Sequence, residues 1–183
     1  MKRKILLIGG AGYIGTVVTK YFLQKGFHVT CLDNCIYKNS SSIDEFRKNN
    51  KFEFIFGDLR NEKLISELLD KCDALIILAG LVGDPITKKY PELSEEINFS
   101  GTKRLIDLSK TKKIENSIFV STCSNYGLSE TDKLLDEDTP LNPLSLYAKQ
   151  KVRIEKYILS LNHEKNFNPT ILRFSTAFGL SPR

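Results

Sequence analysis

A short apolar run, Ile5-Leu6-Leu7-Ile8, passes directly into Gly9-Gly10-Ala11-Gly12-Tyr13-Ile14-Gly15 and then into a helix-like stretch. Few folds accept that order. Gly9, Gly12 and Gly15 each answer a separate need. A tight turn after a strand needs a residue without Cβ, a second glycine admits a pyrophosphate against the backbone, and a third lets helix and sheet pack closely. The helix N-terminus adds unpaired N–H groups and a partial positive charge. Tyr13 and Ile14 lie inside the same segment and are cofactor-contact candidates with the glycines.

Strand candidates recur along the chain at Lys4–Ile8, His28–Leu32, Phe52–Phe56, Ala74–Leu78, Ser117–Ser121 and Thr170–Phe174. Each is a continuous apolar run, which suits a strand buried on both faces of a parallel sheet. Helical patterns lie between them at Tyr13–Lys25, Glu62–Lys71, Pro91–Lys110 and Leu144–Ser160, with a short one at Ile43–Lys48. The alternation predicts an α/β fold: a doubly wound, mostly parallel sheet in one Rossmann-type domain over residues 1–183. A length of 183 residues fits one domain.

Asp33 closes the second strand, 18 residues past Gly15. A carboxylate there accepts hydrogen bonds from the adenosine ribose and repels a 2′-phosphate. No Arg adjoins it, so NAD is expected rather than NADP. Gly57-Asp58-Leu59 follows the third strand. Asp58 is placed either to meet the adenine edge or to cap the helix starting near Asn61. Ala79-Gly80 ends the fourth strand, where small residues let a cofactor lie against backbone.

Tyr147 and Lys151 stand at i and i+4 on a predicted helix and share a face. Phenols ionise near pH 10, so tyrosine is a poor base at neutral pH. A nearby ammonium and a positive nicotinamide ring both favour the phenolate, and the expectation is a lowered Tyr147 pKa. Lys151 can also hold the nicotinamide ribose. Thr122, 25 residues before Tyr147, can bridge to a substrate oxygen as its proton leaves; alone it reads equally as a turn cap.

The bulk composition excludes several classes. The net charge of +5 is spread over scattered Lys and Arg, without the clustered stripe of a nucleic-acid surface. No apolar run reaches membrane-spanning length, and the one behind Met1-Lys2-Arg3-Lys4 is too short for a signal peptide. A cytoplasmic location is expected. Cys31, Cys35, Cys72 and Cys123 form no Cys-x-x-Cys pair, and His28 and His163 are the only histidines. Reduced thiols and no metal site are expected.

Taken together, the chain resembles an extended short-chain dehydrogenase/reductase, within the NAD-dependent nucleotide-sugar epimerase/dehydratase family. Gly9, Gly12 and Gly15 carry the resemblance with Asp33-Asn34, Gly57-Asp58-Leu59-Arg60 and Ala79-Gly80-Leu81. So do Asn98-Phe99-Ser100-Gly101-Thr102, Ser121-Thr122-Cys123-Ser124-Asn125-Tyr126-Gly127, Tyr147 with Lys151, and Leu172-Arg173-Phe174. The resemblance implies NAD, a nucleotide-diphosphate sugar substrate and a Thr122–Tyr147–Lys151 triad. It also implies that Asn98 joins the cofactor site from a neighbouring helix, and that homodimers form through the helices at Pro91–Lys110 and Leu144–Ser160.

Two departures narrow the expectation. Family dehydratases carry Asp-Glu after the active-site Thr, whereas this chain has Cys123-Ser124 there, which disfavours dehydration. Family members also continue past Phe178-Gly179-Leu180-Ser181-Pro182-Arg183 into a smaller substrate domain, largely absent from these residues. The expected activity is epimerisation, at C4 of the sugar, by transient hydride transfer. The alternatives are a net nucleotide-sugar reductase and a non-catalytic NAD-binding fragment.

Overall fold

The fold is a computed structural model describing residues 3–128, 134–161 and 167–181. Met1, Lys2, His163, Pro182 and Arg183 lie outside these residues. Six strands form one sheet: β1 (Lys4–Ile8), β2 (His28–Asp33), β3 (Phe52–Phe56), β4 (Ala74–Ile77), β5 (Asn116–Thr122) and β6 (Thr170–Phe174). Their order is β3-β2-β1-β4-β5-β6, and every neighbouring pair is parallel. This is the doubly wound dinucleotide-binding order, with its reversal between β1 and β4.

Side-chain alternation explains why both faces are covered. Leu6 and Ile8 point to one face, where they meet Ile65, Leu68 and Leu69 of α2 (Glu62–Leu69). Leu105 and Ile106 of α5 (Thr102–Thr111) and Ile154 and Ile158 of α6 (Leu146–Ser160) complete that layer. Ile5 and Leu7 point to the other face, against Leu23 of α1 (Tyr13–Gln24) and Ile43 and Phe46 of a 3₁₀ segment, Ser40–Phe46. Each fully buried Leu or Ile contributes about 1.5–3 kcal/mol through removal from water.

All six predicted strands are present, with small shifts at their ends. Ser145 starts α6 two residues later than expected, because its hydroxyl accepts from Ala148 N–H at 3.1 Å. A short helix, α3 (Asp84–Lys89), went unpredicted, since Pro85 reads as a breaker; here it sits in the first turn, where its missing N–H costs nothing. The long helix expected over Pro91–Lys110 is three pieces: α4 (Pro91–Ser94), a π-helical stretch (Glu95–Gly101) and α5. The wide turn accommodates Gly101, where a Cβ would fall 2.6 Å from Leu59 Cδ1 and 2.9 Å from the Glu96 carbonyl oxygen.

Candidate active site

The segments leaving all six strands meet at the carboxyl edge of the sheet, β6 contributing Phe174, Ser175 and Ala177. There they enclose a cavity of about 500 Å³ at the reversal of strand order. Gly9, Gly12, Tyr13, Ile14, Gly15, Asp33, Asn34, Asp58, Leu59, Ala79, Gly80, Thr122, Tyr147 and Lys151 all line it. Fourteen of the fifteen candidate residues thus share one wall; the exception is Asn98.

The glycine segment is built by contact as much as by conformation. Gly9 has φ +86°, and a Cβ there would lie 2.6 Å from Ala79 N. A Cβ on Gly15 would lie 2.5 Å from the Gly9 carbonyl oxygen. Gly10 also has a packing role the sequence reading missed: its Cβ would fall 2.4 Å from Cys31 Sγ. Gly12 differs, since only the Gly9 carbonyl oxygen, at 3.2 Å, would approach its Cβ. The space beside Gly12, at the N-terminus of α1, is a cradle fit for a diphosphate.

Asp33 holds this cradle from β2. Its Oδ2 accepts from Ala11 N–H at 3.0 Å and its Oδ1 from Cys35 N–H at 2.8 Å. Asn39 donates to the Ala11 carbonyl at 2.6 Å, with Ser42 Oγ at 2.7 Å. Asn39 lines the cavity, and its Oδ1 is buried without a protein partner. An orphaned acceptor beside a phosphate-sized cradle fits a polar, hydroxyl-bearing cofactor. Neither Asn39 nor Tyr37, which also lines the cavity, was a sequence candidate. The loop carrying them gave no periodic signal, and Cys35 and Lys38 there take positive φ without being glycine.

Asp58 resolves one open choice. Asn61 caps α2 itself, accepting from Leu64 N–H at 3.1 Å. Asp58 instead accepts from Asn34 Nδ2 at 2.9 Å and from Arg60 Nε and Nη2, both at 2.9 Å. The Arg60 hydrogen bond pulls its pKa down to about 2. Arg60 is further paired with Glu96 at 2.7 Å.

Asn98 lies behind the wall rather than on it. It is 3% exposed, and its Oδ1 accepts from Leu81 N–H at 2.8 Å. Its Nδ2 donates to the Leu81 carbonyl at 3.0 Å and to Gln150 Oε1 at 3.0 Å. In this geometry Asn98 pins the Gly80–Leu81 backbone that faces the cavity, a support from the neighbouring helix. The π-helical turn beneath it was not visible in the sequence.

Tyr147 and Lys151 share one face of α6, with Nζ 5.8 Å from the Tyr147 ring centroid. Lys151 is 4% exposed; its Nζ donates to the Val120 carbonyl at 2.8 Å and lies 4.5 Å from the Phe119 ring centroid. Burial pulls its pKa down to about 8, and Glu155 opposes that fall. The expected lowering of the Tyr147 pKa is not what the protein alone produces. Burial, with a smaller contribution from Tyr37, pushes it up to about 12. A desolvated phenolate needs more positive charge beside it than Lys151 alone provides.

Thr122 takes the turn-cap role and also faces the cavity. It lines the cavity, and it caps the turn Cys123–Tyr126 by accepting from Ser124 N–H at 3.1 Å. Its hydroxyl donates to Ser124 Oγ at 3.2 Å. Cys31, Cys35, Cys72 and Cys123 are free thiols, and burial raises the pKa of the first three. Among the described residues no cluster could hold a metal ion, and no helix is long and apolar enough to cross a membrane.

The model of the NAD dependent epimerase/dehydratase family matches residues 5–183. A UDP-glucose 4-epimerase of Lactobacillus helveticus is 30% identical over 97% of this chain and 53% of its own length. A putative UDP-glucose 4-epimerase of Methanocaldococcus jannaschii is 30% identical over 96% and 56%. Among solved structures, the UDP-Glc/GlcNAc 4-epimerase of Campylobacter jejuni superposes with a TM-score of 0.86 at 27% identity, covering 93% of this chain and 53% of that one. The UDP-glucuronic acid 4-epimerase of Bacillus cereus, solved with NAD, gives 0.84 at 29% identity, covering 93% and 55%. The chain therefore spans about half the length of the relatives it matches. Glycine cradle, acidic β2 terminus and Tyr–Lys face agree with that match, and the chain belongs to the NAD-dependent epimerase/dehydratase family.

Proposed function

We propose that these 183 residues form the NAD-binding and catalytic part of an enzyme that epimerises a nucleotide-diphosphate sugar at C4. The observation carrying this reading is that Thr122, Tyr147 and Lys151 open onto the same cavity as the glycine cradle. Gly9, Gly12 and Gly15 would hold the diphosphate, Asp33 and Asn39 the adenosine ribose, and Lys151 the nicotinamide ribose. Bound NAD supplies a reversible hydride acceptor and a positive charge near Tyr147.

Tyr147 Oη takes the proton of the sugar 4-hydroxyl and later returns it. Thr122 Oγ1 turns from Ser124 to the same substrate oxygen and holds it in line. Lys151 donates one N–H to Val120, which leaves two others to face the cavity. Cys123 and Ser124 supply no carboxylate pair, so the reading favours epimerisation over loss of water. The residues that choose nucleotide and sugar would belong to a second lobe, as the greater length of the relatives suggests. Pairing of two copies through α5 and α6 is part of the same reading, and sedimentation checks it.

Sugar deuterated at C4 should keep its label through turnover; appearance of the label in solvent would reject the mechanism. Net consumption of reduced nicotinamide would instead identify a reductase. Tyr147→Phe should cut turnover by about 10²–10⁴-fold, as loss of a general base does, and leave NAD binding in place. If Tyr147→Phe leaves biological activity intact while Asp33→Ala abolishes it, the chain is a binding module and the catalytic reading fails.

A further inference from the structure

The most deeply buried charge outside the cavity wall is Glu155, at 1% exposure. Its Oε2 accepts from Arg173 Nη2 at 2.8 Å and Nε at 3.0 Å. Its Oε1 accepts from Asn125 Nδ2 at 2.7 Å and from Ser121 Oγ. Arg173 reaches this point from β6, where it stands in register with Ser121 of β5, and its Nη1 donates to the Tyr126 hydroxyl at 3.1 Å. A buried ion pair is poor value for stability alone, because desolvation offsets most of its attraction and apolar residues would serve as well. Its position suggests another use.

Glu155 follows Lys151 by four residues, so the two share a face of α6. Lys151 grips the carbonyl of Val120, and Glu155 grips the hydroxyl of Ser121. Two successive turns of α6 therefore clamp two successive residues of β5, and the next residue is Thr122. The groups facing Lys151 are Tyr147 and Glu155 from α6, and the uncharged Val120 carbonyl and Phe119 ring from β5. Glu95 before α5, and Lys103 and Asp107 within it, engage Arg153 and Tyr157 on the opposite side of α6. Asp84, Lys88 and Lys89 are the charges of α3, and Glu155 is the charged side chain that acts on Lys151.

We propose that Glu155, ion-paired with Arg173, is a positioning residue: it is the buried counter-charge that keeps Lys151 protonated, and it locks the end of β5 that presents Thr122. The proposal rests on the reading of Lys151 and Thr122 as catalytic, and it deepens that reading. The cavity chemistry would then depend on Arg173, which does not itself line the cavity although its neighbour Phe174 does.

The test is a titration of the whole chain carrying ¹³Cε-labelled lysine, with the Lys151 resonance assigned by its loss in Lys151→Met. The native midpoint should fall near 8. In Glu155→Gln the acid constant of Lys151 should rise about tenfold or more, as loss of a close opposite charge requires. Arg173→Lys alone, which keeps the counter-ion's charge, should retain most of the native midpoint. If Glu155→Gln does not fold, the double variant Glu155→Gln/Arg173→Met, which removes both charges of the pair, reads the same effect, because the carboxylate is the charge that acts on Lys151. An unchanged Lys151 midpoint in a folded variant, even with a lower thermal midpoint, overturns the proposal and leaves Glu155 a packing element. NAD titrated into the same samples reads the cofactor assignment separately: a native chain that does not bind NAD sinks the proposed function but not the lysine result.

Discussion

At the scale of single residues, the cavity depends on atoms that are missing. Gly15 touches Gly9 and Gly10 through backbone, so neither neighbour can yield by rotating a side chain. Gly15→Ala should destabilise the fold by roughly 1–3 kcal/mol, the usual cost of overpacking, and weaken NAD binding; a urea midpoint and an NAD titration check both. Asp58 gives a prediction in pH. Its pKa is lowered from 3.8 to about 2 by Arg60, so its contribution is fully present above 3.8 and is lost as pH falls through 2. The stability gap between the native chain and Asp58→Asn should therefore be widest above 3.8 and close towards 2. A gap independent of pH would remove the ion pair from the account. The glycines and the acidic residues were legible as residues because each answers a need that few side chains meet. Gly10 was not, because what it accommodates is the sulfur of Cys31, a neighbour 21 positions away.

At the scale of elements, strands were the clearest feature. Continuous apolar runs have few places to go except a sheet covered on both faces. Turns and helix interruptions were harder. The π-helical stretch Glu95–Gly101 carries the same residue types as the regular helix beside it, and only packing against Leu59, Leu81 and Gln150 reveals it. Asn98 is the consequence. Asn98→Ala leaves the buried N–H of Leu81 without an acceptor, which should cost about 1–3 kcal/mol. NAD affinity should fall with it, since the Gly80–Leu81 backbone is no longer pinned. Denaturant unfolding and an NAD titration of the same variant check this; lost stability with unchanged affinity would make Asn98 a scaffold residue only.

At the scale of the whole molecule, one sheet reversal gathers the ends of all six strands, and the cofactor should therefore stabilise the entire domain. NAD at one hundred times its dissociation constant should add about 2.7 kcal/mol, a rise of roughly 5–10 °C in thermal midpoint for a chain of this size. NADP should do less, because Asp33 faces the ribose side with a carboxylate. A larger shift with NADP would reverse that assignment. The sequence by itself determined the alternation of strands and helices, the glycine cradle and the Tyr147–Lys151 face. These are local patterns of period and spacing, written wherever the chain meets its own near neighbours. Only the tertiary structure decided that Asn98 stands behind the wall, that Asn39 and Tyr37 stand on it, and that Glu155 meets Arg173. It also decided that burial raises the Tyr147 phenol instead of lowering it. Those outcomes depend on desolvation and on partners distant in the chain, and neither is encoded in any short stretch of residues.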